Sequence, residues 1–282
     1  MSDAYCLFGY PVHHSWSPFI HGLFARQTGQ DMEYRLQESS PENFRREALA
    51  FFFDKGGRGC NVTLPHKLAA AELVNHLSPR AQLADAVNTI VRRDGELLGD
   101  NTDGIGLVTD LLQNLKLELR APRILMLGAG GAARGALGPL LERLEPSEIV
   151  IANRTLERAT ELALHFARLG PLSAVSFAAL KGAQVFDLVI NATSASLRGT
   201  VPPVPPSLIG PRTACYDMAY GIGETSFTRW AREAGAPVAA QGWGMLVEQA
   251  AESFALWRGV RPSTPPVLQA LQERAAATAV QA

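Results

Sequence analysis

Residues 123–127 read RILML, residues 128–133 read GAGGAA, and a helical pattern then runs to about Leu144. An unbroken apolar run of strand length suits a strand buried on both faces, as in a parallel sheet. A glycine-rich turn from such a strand into a helix lets a phosphate approach the backbone. Gly128 permits the tight turn, Gly130 leaves room for a pyrophosphate, and the small Ala133 allows close packing of helix on strand. Ala129, Gly131 and Ala132 complete a loop that ends at a helix N-terminus with free N–H groups and partial positive charge. The same alternation continues as a strand at 149–152, a helix at 156–169, and strands at 188–192 and 214–218. It outlines a Rossmann-type domain that begins near residue 104.

Upstream, the pattern is also α/β. Residues 5–9, 32–36 and 59–63 read as strands, and 41–55 as a helix. A second helix is expected over Pro18–Gln27, opened by Ser17 as N-cap with Pro18 in its first turn. Residues 86–92 and 96–99 flank Asp94-Gly95, a pair suited to a tight hairpin turn. Alternating strands and helices predict an α/β architecture with parallel pairing. After Gly242 come two helices, 245–258 and 266 to about 277.

Composition narrows the function classes. Twenty-six Lys and Arg against 27 Asp and Glu leave a net charge of −1, so no broad field is present to attract nucleic acid or an anionic membrane. Cys6, Cys60 and Cys215 lack metal or disulfide spacing, His13 and His14 lack ligand spacing, and His66 is read as shaping the turn before Lys67, so a metal is not needed. The longest apolar run, 124–133, has 10 residues including three glycines, far short of the ~20 that span a bilayer. The start MSDAYCLFGYP lacks the basic and apolar stretches of a signal peptide. A cytoplasmic enzyme is the expectation.

The end of the second strand in the Rossmann outline selects the dinucleotide. NAD sites place a carboxylate there to hold the ribose hydroxyls. Here the chain reads Asn153-Arg154-Thr155, with Arg158 one helical turn on. Two guanidiniums and a hydroxyl suit a 2′-phosphate, which favours NADP over NAD. Cations are unfavourable in a first helical turn, and a bound anion would account for them.

Three polar clusters lie outside this unit: Ser15-Trp16-Ser17-Pro18, residues 61–67 (NVTLPHK), and Asn88-Thr89 with residues 100–104 (DNTDG). The two serine hydroxyls at a helix start suit a carboxylate, a reading compatible with Ser17 as a cap. With these clusters the chain resembles the shikimate dehydrogenase family over almost its full length. The resemblance rests on HSWSP at 14–18, NVTLPHK at 61–67, DAVNT at 85–89 and GDNTDG at 99–104. It continues through GAGGAARG at 128–135, NRT at 153–155, NATS at 191–194, YDMAY at 216–220 and GWGMLVEQA at 242–250.

The resemblance implies a Rossmann-type NADP-binding domain (104–241) inserted in a split α/β substrate domain (1–103 plus 242–282). It also implies NADPH-dependent reduction of 3-dehydroshikimate to shikimate, with a small-molecule substrate and a monomer or homodimer as the working form. Carried onto this chain, Ser15 and Ser17 hold the substrate carboxylate. Asn61, Thr63, Asn88, Asp103 and Gln249 bind ring hydroxyls, with Tyr220 close by. Lys67 and Asp103 form the proton-transfer pair, and NATS at 191–194, with Thr193 touching the cofactor, lines the nicotinamide pocket, with the cofactor-binding Met218 and Gly242 nearby. The run Ala195-Ser196-Leu197 departs from the family, many of whose members have a glycine there.

The chemistry supports that pairing independently. Hydride delivery to a ketone builds negative charge on oxygen, which a lysine can stabilise and protonate while a nearby carboxylate positions it. Two other readings share these residues: a broader quinate/shikimate dehydrogenase using NAD, and a non-catalytic NADP-binding sensor. The basic residues at 154 and 158 oppose the NAD form, and a sensor would have no use for Lys67 and Asp103.

Overall fold

The computed structural model describes residues 2–281. The chain divides into two compact units, Met1–Gly106 with Leu246–Leu271, and Leu107–Met245 with Gln272–Ala282. Each has its own sheet.

In the first unit, strands β1 (Asp3–Gly9), β2 (Met32–Glu38), β3 (Gly59–Val62), β4 (His76–Leu77), β5 (Thr89–Arg93) and β6 (Glu96–Asp100) form one sheet in the order β2-β1-β3-β5-β6-β4. Helices α1 (Ser17–Thr28), α2 (Phe44–Phe53), α3 (Lys67–Leu73) and α4 (Pro79–Ala84) belong to the same unit. Phe8, Phe44, Phe52, Ile90 and Leu97 share one buried core. Parallel pairing holds for β1 with β2 and β3, but β5 runs antiparallel to both β3 and β6. The Asp94-Gly95 turn, whose residues both have positive φ (51° and 85°), reverses the chain between β5 and β6. The sheet is therefore mixed. Its register aligns Asn61 with Thr89 and Thr89 with Asp100, so polar residues of three strands share one level.

The second unit holds β7 (Arg123–Leu127), β8 (Glu148–Asn153), β9 (Leu172–Ser176), β10 (Phe186–Asn191), β11 (Ile209–Asp217) and β12 (Val238–Gln241). Their order is β12-β11-β10-β7-β8-β9 with every pairing parallel, the doubly wound order of a Rossmann sheet. Ile124, Leu125, Met126 and Leu127 are fully buried, as the unbroken apolar run requires. Helix α5 (Asp103–Thr109) continues into a π-helical turn at Asp110–Asn114, and the dividing point between the units falls within it. Helices α6 (Gly131–Leu144), α7 (Leu156–Phe166) and α8 (Ser226–Glu233) follow, and then α9 (Trp243–Arg258) and α10 (Pro265–Gln281).

Several elements differ in extent from the sequence reading. Helix α2 begins at Phe44 rather than Pro41, because Ser40 to Asn43 forms a turn whose Ser40 carbonyl accepts from the Asn43 and Phe44 amides. Helix α7 ends at Phe166. The hairpin strand β5 starts at Thr89, and residues 86–88 precede it. All three cysteines are free and buried. Among the described residues no helix is long and apolar enough to cross a membrane.

One buried group makes the first unit sensitive to pH. His21 on α1 is fully buried, stacked on Tyr34 at 4.3 Å, with the Phe24, Phe254 and Trp257 rings 5.2–6.3 Å away. Among the described residues neither ring nitrogen has a partner in good hydrogen-bond geometry, and Asn61 nearby only partly offsets the burial. Burial lowers its pKa to about 3, so the folded chain holds it neutral while the unfolded chain protonates it near pH 6.5. The unfolded state then binds the extra proton, and stability falls as pH drops through the window from about 6.5 to about 3. For His21→Phe, the stability difference from wild type should shift in the variant's favour by about 2 kcal/mol between pH 7 and pH 5. Urea unfolding at the two pH values measures it, and a pH-independent difference would contradict it.

Candidate active site

Lys67 opens α3, directly after a turn fixed from within. The His66 ring is buried, stacked on Phe44 at 4.5 Å, and its Nε2 lies 2.7 Å from the Ser39 carbonyl oxygen. That anchor sets the direction of the next residue. Lys67 Nζ donates to Asp103 Oδ2 at 2.5 Å, and both side chains are largely shielded, at 19% and 10% exposure. The other Asp103 oxygen accepts from Asn88 Nδ2 at 2.8 Å, and the Asp103 amide donates to Asn101 Oδ1 at 3.2 Å. The carboxylate is thus held at both oxygens, and through it the lysine ammonium is aimed.

Asn88 is the centre of this web. Its Nδ2 also donates to Thr102 Oγ1 (2.9 Å) and to Gln249 Oε1 (3.4 Å), and its Oδ1 accepts from the Thr102 amide and the Thr89 hydroxyl. Gln249 Nε2 caps back on the Leu246 carbonyl. Asn61 is buried in the same network. Its Nδ2 faces the Asn88 carbonyl, Thr89 Oγ1 and Ser253 Oγ at 3.2, 3.1 and 2.9 Å, and its Oδ1 accepts from the Tyr34 hydroxyl at 2.8 Å. Thr63, half-buried just past β3, pairs its amide with the Phe8 carbonyl. Burial raises the Tyr34 hydroxyl well above its ordinary pKa, so it stays a donor to Asn61.

The sequence reading of Ser17 as an N-cap is corrected. Ser17 is the first residue of α1, and Trp16 occupies the cap position with helical backbone and without a side-chain cap bond. The Ser17 amide donates instead to Ser15 Oγ at 3.2 Å, and Ser15 Oγ donates to Ser17 Oγ at 3.1 Å. Two hydroxyls therefore meet at the start of α1, Ser17 buried and Ser15 half-buried.

In the second unit, Gly128 has φ 103° and a Cβ there would lie 3.0 Å from Thr193 Cγ2 and 3.2 Å from the Ala192 carbonyl oxygen. Only glycine fits both the backbone and the space. Beyond it, a Cβ added at Gly130 or Gly131 would meet nothing within 4 Å, and Ala129 and Ala132 are half-buried. The α6 N-terminus thus stands open to a phosphate, as a dinucleotide site requires. Ala133 is fully buried behind the loop.

At the end of β8, Asn153 Nδ2 donates to the Thr155 carbonyl at 2.8 Å, which folds the turn. Thr155 takes the α7 cap position without a side-chain cap bond. Arg154 and Arg158 are exposed, and among the described residues neither forms a salt bridge. Two unpaired guanidiniums beside a free hydroxyl form a receptive surface for an anion.

Past β10, Thr193 turns onto Asn191, whose Oδ1 accepts from the Thr193 amide (3.1 Å) and hydroxyl (2.7 Å). The Met218 amide donates to the Asn191 carbonyl, and the Gly242 amide to that of Ala219. A Cβ on Gly242 would lie 2.5 Å from the Met218 carbonyl oxygen, so these two backbones approach as only glycine allows. Tyr220 packs on Trp243 at 4.8 Å, and desolvation pushes its hydroxyl up to about 12, leaving it a donor at neutral pH.

Tyr34, Thr102, Ser253 and Asp217 hold the site residues yet carry no role in the sequence reading, whereas Asn191 is expected there as part of the nicotinamide lining. Thr102 lies within GDNTDG at 99–104 and Asp217 within YDMAY at 216–220, so motif membership is the signal that marks them. Tyr34 and Ser253 carry no local signal, because they reach Asn61 from 27 and 192 positions away.

A doubly wound parallel sheet with an open glycine loop, in a chain that also carries a shielded lysine–carboxylate pair, defines a dinucleotide-dependent oxidoreductase of the α/β class. Comparison with known proteins makes the assignment particular. Residues 7–90 match the shikimate dehydrogenase substrate binding domain, 110–198 shikimate / quinate 5-dehydrogenase, and 242–272 the shikimate 5'-dehydrogenase C-terminal domain. The chain is 53% identical over 271 residues to a shikimate dehydrogenase (NADP(+)) of Methylococcus capsulatus, covering 96% of each. An enzyme from Pseudomonas putida matches with a TM-score of 0.88 and 48% identity, over 96% of this chain and 98% of that one. Shikimate 5-dehydrogenase from Thermus thermophilus, solved with NADP(H) and shikimate, matches at a TM-score of 0.83 and 32% identity, over 97% and 99%. The chain belongs to the shikimate dehydrogenase family and is an oxidoreductase.

Proposed function

We propose that the chain reversibly reduces 3-dehydroshikimate to shikimate with NADPH, a step of the route to chorismate and the aromatic amino acids. The observation that carries this reading is the Lys67–Asp103 pair, held at 2.5 Å and clamped on its far side by Asn88. The name of the Methylococcus relative and the ligands of the Thermus structure support the same substrate and cofactor. The unit of Met1–Gly106 with Leu246–Leu271 is the substrate domain in this reading, and the other unit is the NADP domain.

NADPH, when bound, supplies the hydride. Gly128, Gly130 and the open start of α6 receive its pyrophosphate, together with Ala129, Gly131 and Ala132. Arg154, Arg158, Thr155 and Asn153 would hold the 2′-phosphate, and Thr193, Met218 and Gly242 would bound the nicotinamide. The substrate carboxylate is held by the Ser15 and Ser17 hydroxyls. Ring hydroxyls engage Thr63, Gln249 and Asp103, with Tyr220 as a further donor. Asn61 and Asn88 each exchange a protein-side bond for a substrate hydroxyl.

As hydride reaches the carbonyl carbon, negative charge grows on its oxygen. The Lys67 ammonium stabilises that charge and delivers the proton, while Asp103 keeps Nζ aligned and screens its burial. In the reverse direction the pair accepts the hydroxyl proton. Three buried, free cysteines suit a reducing cytoplasm, where the chain would work as a monomer or homodimer.

The test follows nicotinamide absorbance with shikimate or quinate, each paired with NADP or NAD. Turnover with shikimate and NADP, well above the other combinations, is expected. Absence of turnover with that pair would overturn the proposal, and equal rates with quinate would replace it by a broader dehydrogenase.

A further inference from the structure

We infer that Asp217 is a positioning residue for the nicotinamide half of the cofactor, an inference that rests on the NADP reading above. Asp217 ends β11 and is fully buried. Its Oδ1 accepts from Asn191 Nδ2 at 3.0 Å and from the Ala219 amide at 3.1 Å. Its Oδ2 accepts from the Ser196 hydroxyl at 2.5 Å and the Thr225 hydroxyl at 2.7 Å. No Lys, Arg or His side chain bonds to it among the described residues, so four neutral donors alone hold a buried carboxylate. Burial nevertheless raises its pKa, because desolvation outweighs those bonds.

A buried anion of this kind is costly, and it is retained with four donors aimed at it, each of which would lose its partner if the carboxylate were removed. What the carboxylate supplies is convergence. Asn191 closes β10, Ser196 lies in the short 3-10 turn after it, Ala219 follows β11, and Thr225 caps α8. All four lie beyond or at the C-terminal ends of parallel strands, where open α/β sheets bind ligands.

Each of the three nicotinamide-side residues is tied to this centre. Asn191, gripped by Asp217 through its amide nitrogen, uses its amide oxygen to hold Thr193. The Asn191 carbonyl takes the Met218 amide, and the Ala219 carbonyl takes that of Gly242. Ser196, Ala219 and Thr225 also line a cleft of about 360 Å³ with Leu197, Tyr220 and Ile222. One carboxylate thus fixes the walls on the nicotinamide side, whereas Arg154 and Arg158 stand apart from its hydrogen bonds.

That separation gives the test. Calorimetric titration of the full chain with NADP+ and with adenosine 2′,5′-bisphosphate compares the whole cofactor with its 2′-phosphate half. Asp217→Ala should weaken NADP+ binding by on the order of tenfold or more, while the bisphosphate stays within about twofold. Asp217→Asn should recover part of the loss, because its NH2 can donate to the Ser196 and Thr225 hydroxyls. Ser196→Ala, which removes one of the two hydroxyl donors to Oδ2 and caps no helix, should shift the two ligands in the same unequal way and serves if Asp217→Ala does not fold. Equal weakening of both ligands, or no weakening of NADP+, would overturn the inference. Failure of the wild-type chain to bind NADP+ would instead overturn the reading on which it rests.

Discussion

Replacing Lys67 with alanine is expected to lower kcat by roughly 10²- to 10⁴-fold, the range lost when a positioned proton donor is removed. NADP binding should stay close to wild type, because every Lys67 contact described above belongs to the substrate half. The loss should fall on kcat and kcat/KM together, marking an interaction that strengthens in the transition state. The physical reason is that among the described residues Nζ is the one cation bonded to Asp103, with no second lysine or arginine in the Asn88–Thr102–Gln249 web to take over. Asp103→Asn keeps the shape but leaves the ammonium unpaired, so a smaller loss is expected than for Lys67→Ala. Steady-state rates with shikimate and NADP+, alongside a fluorescence titration of NADPH, measure both. An alanine variant with wild-type kcat would remove Lys67 from the chemistry.

The paired substitution Arg154→Ala with Arg158→Ala is expected to raise the KM for NADP+ by roughly a hundredfold, from the loss of two charge-assisted contacts to one phosphate. The KM for NAD+ should change by less than about threefold, since NAD+ has no phosphate there. Both arginines are exposed and outside any salt bridge among the described residues, so removal should leave the fold intact. Parallel KM determinations for the two dinucleotides on the variant and wild type make the comparison. A proportional rise for both would show that these arginines support the loop rather than read the 2′-phosphate.

Local features were the most legible in the sequence. The run at 123–127 and the glycine turn after it announce β7 and α6, because burial on both faces and a positive φ at Gly128 are demands that neighbouring residues alone express. Asp94-Gly95 announces its hairpin for the same reason. The short strands β4, β9 and β12 and the short helices α3, α4 and α8 escaped, being too brief or too polar to show a period and stabilised by partners distant in sequence. Antiparallel placement of β5 against β3 escaped too, since the local alternation is the same in either direction.

The site divides along the same line. Motif residues could be named from the chain, but not what holds them. Ser17 looked like a cap because its type and position fit one, and only the conformation shows that Ser15 takes up the Ser17 amide. Asn61 looked like a free ligand, yet its amide is engaged by Tyr34 and Ser253, which no spacing could connect to it. The Asp217 cluster draws on four separate segments and becomes visible only once β10, β11 and α8 are laid side by side.

The most direct measurement supplies 3-dehydroshikimate with NADPH dideuterated at the nicotinamide C4 and analyses the product by mass spectrometry. The expected product is shikimate one mass unit heavier, with deuterium on the new carbinol carbon and the hydroxyl proton drawn through Lys67. Unlabelled shikimate, or no product at all, would contradict hydride transfer from NADPH by this chain.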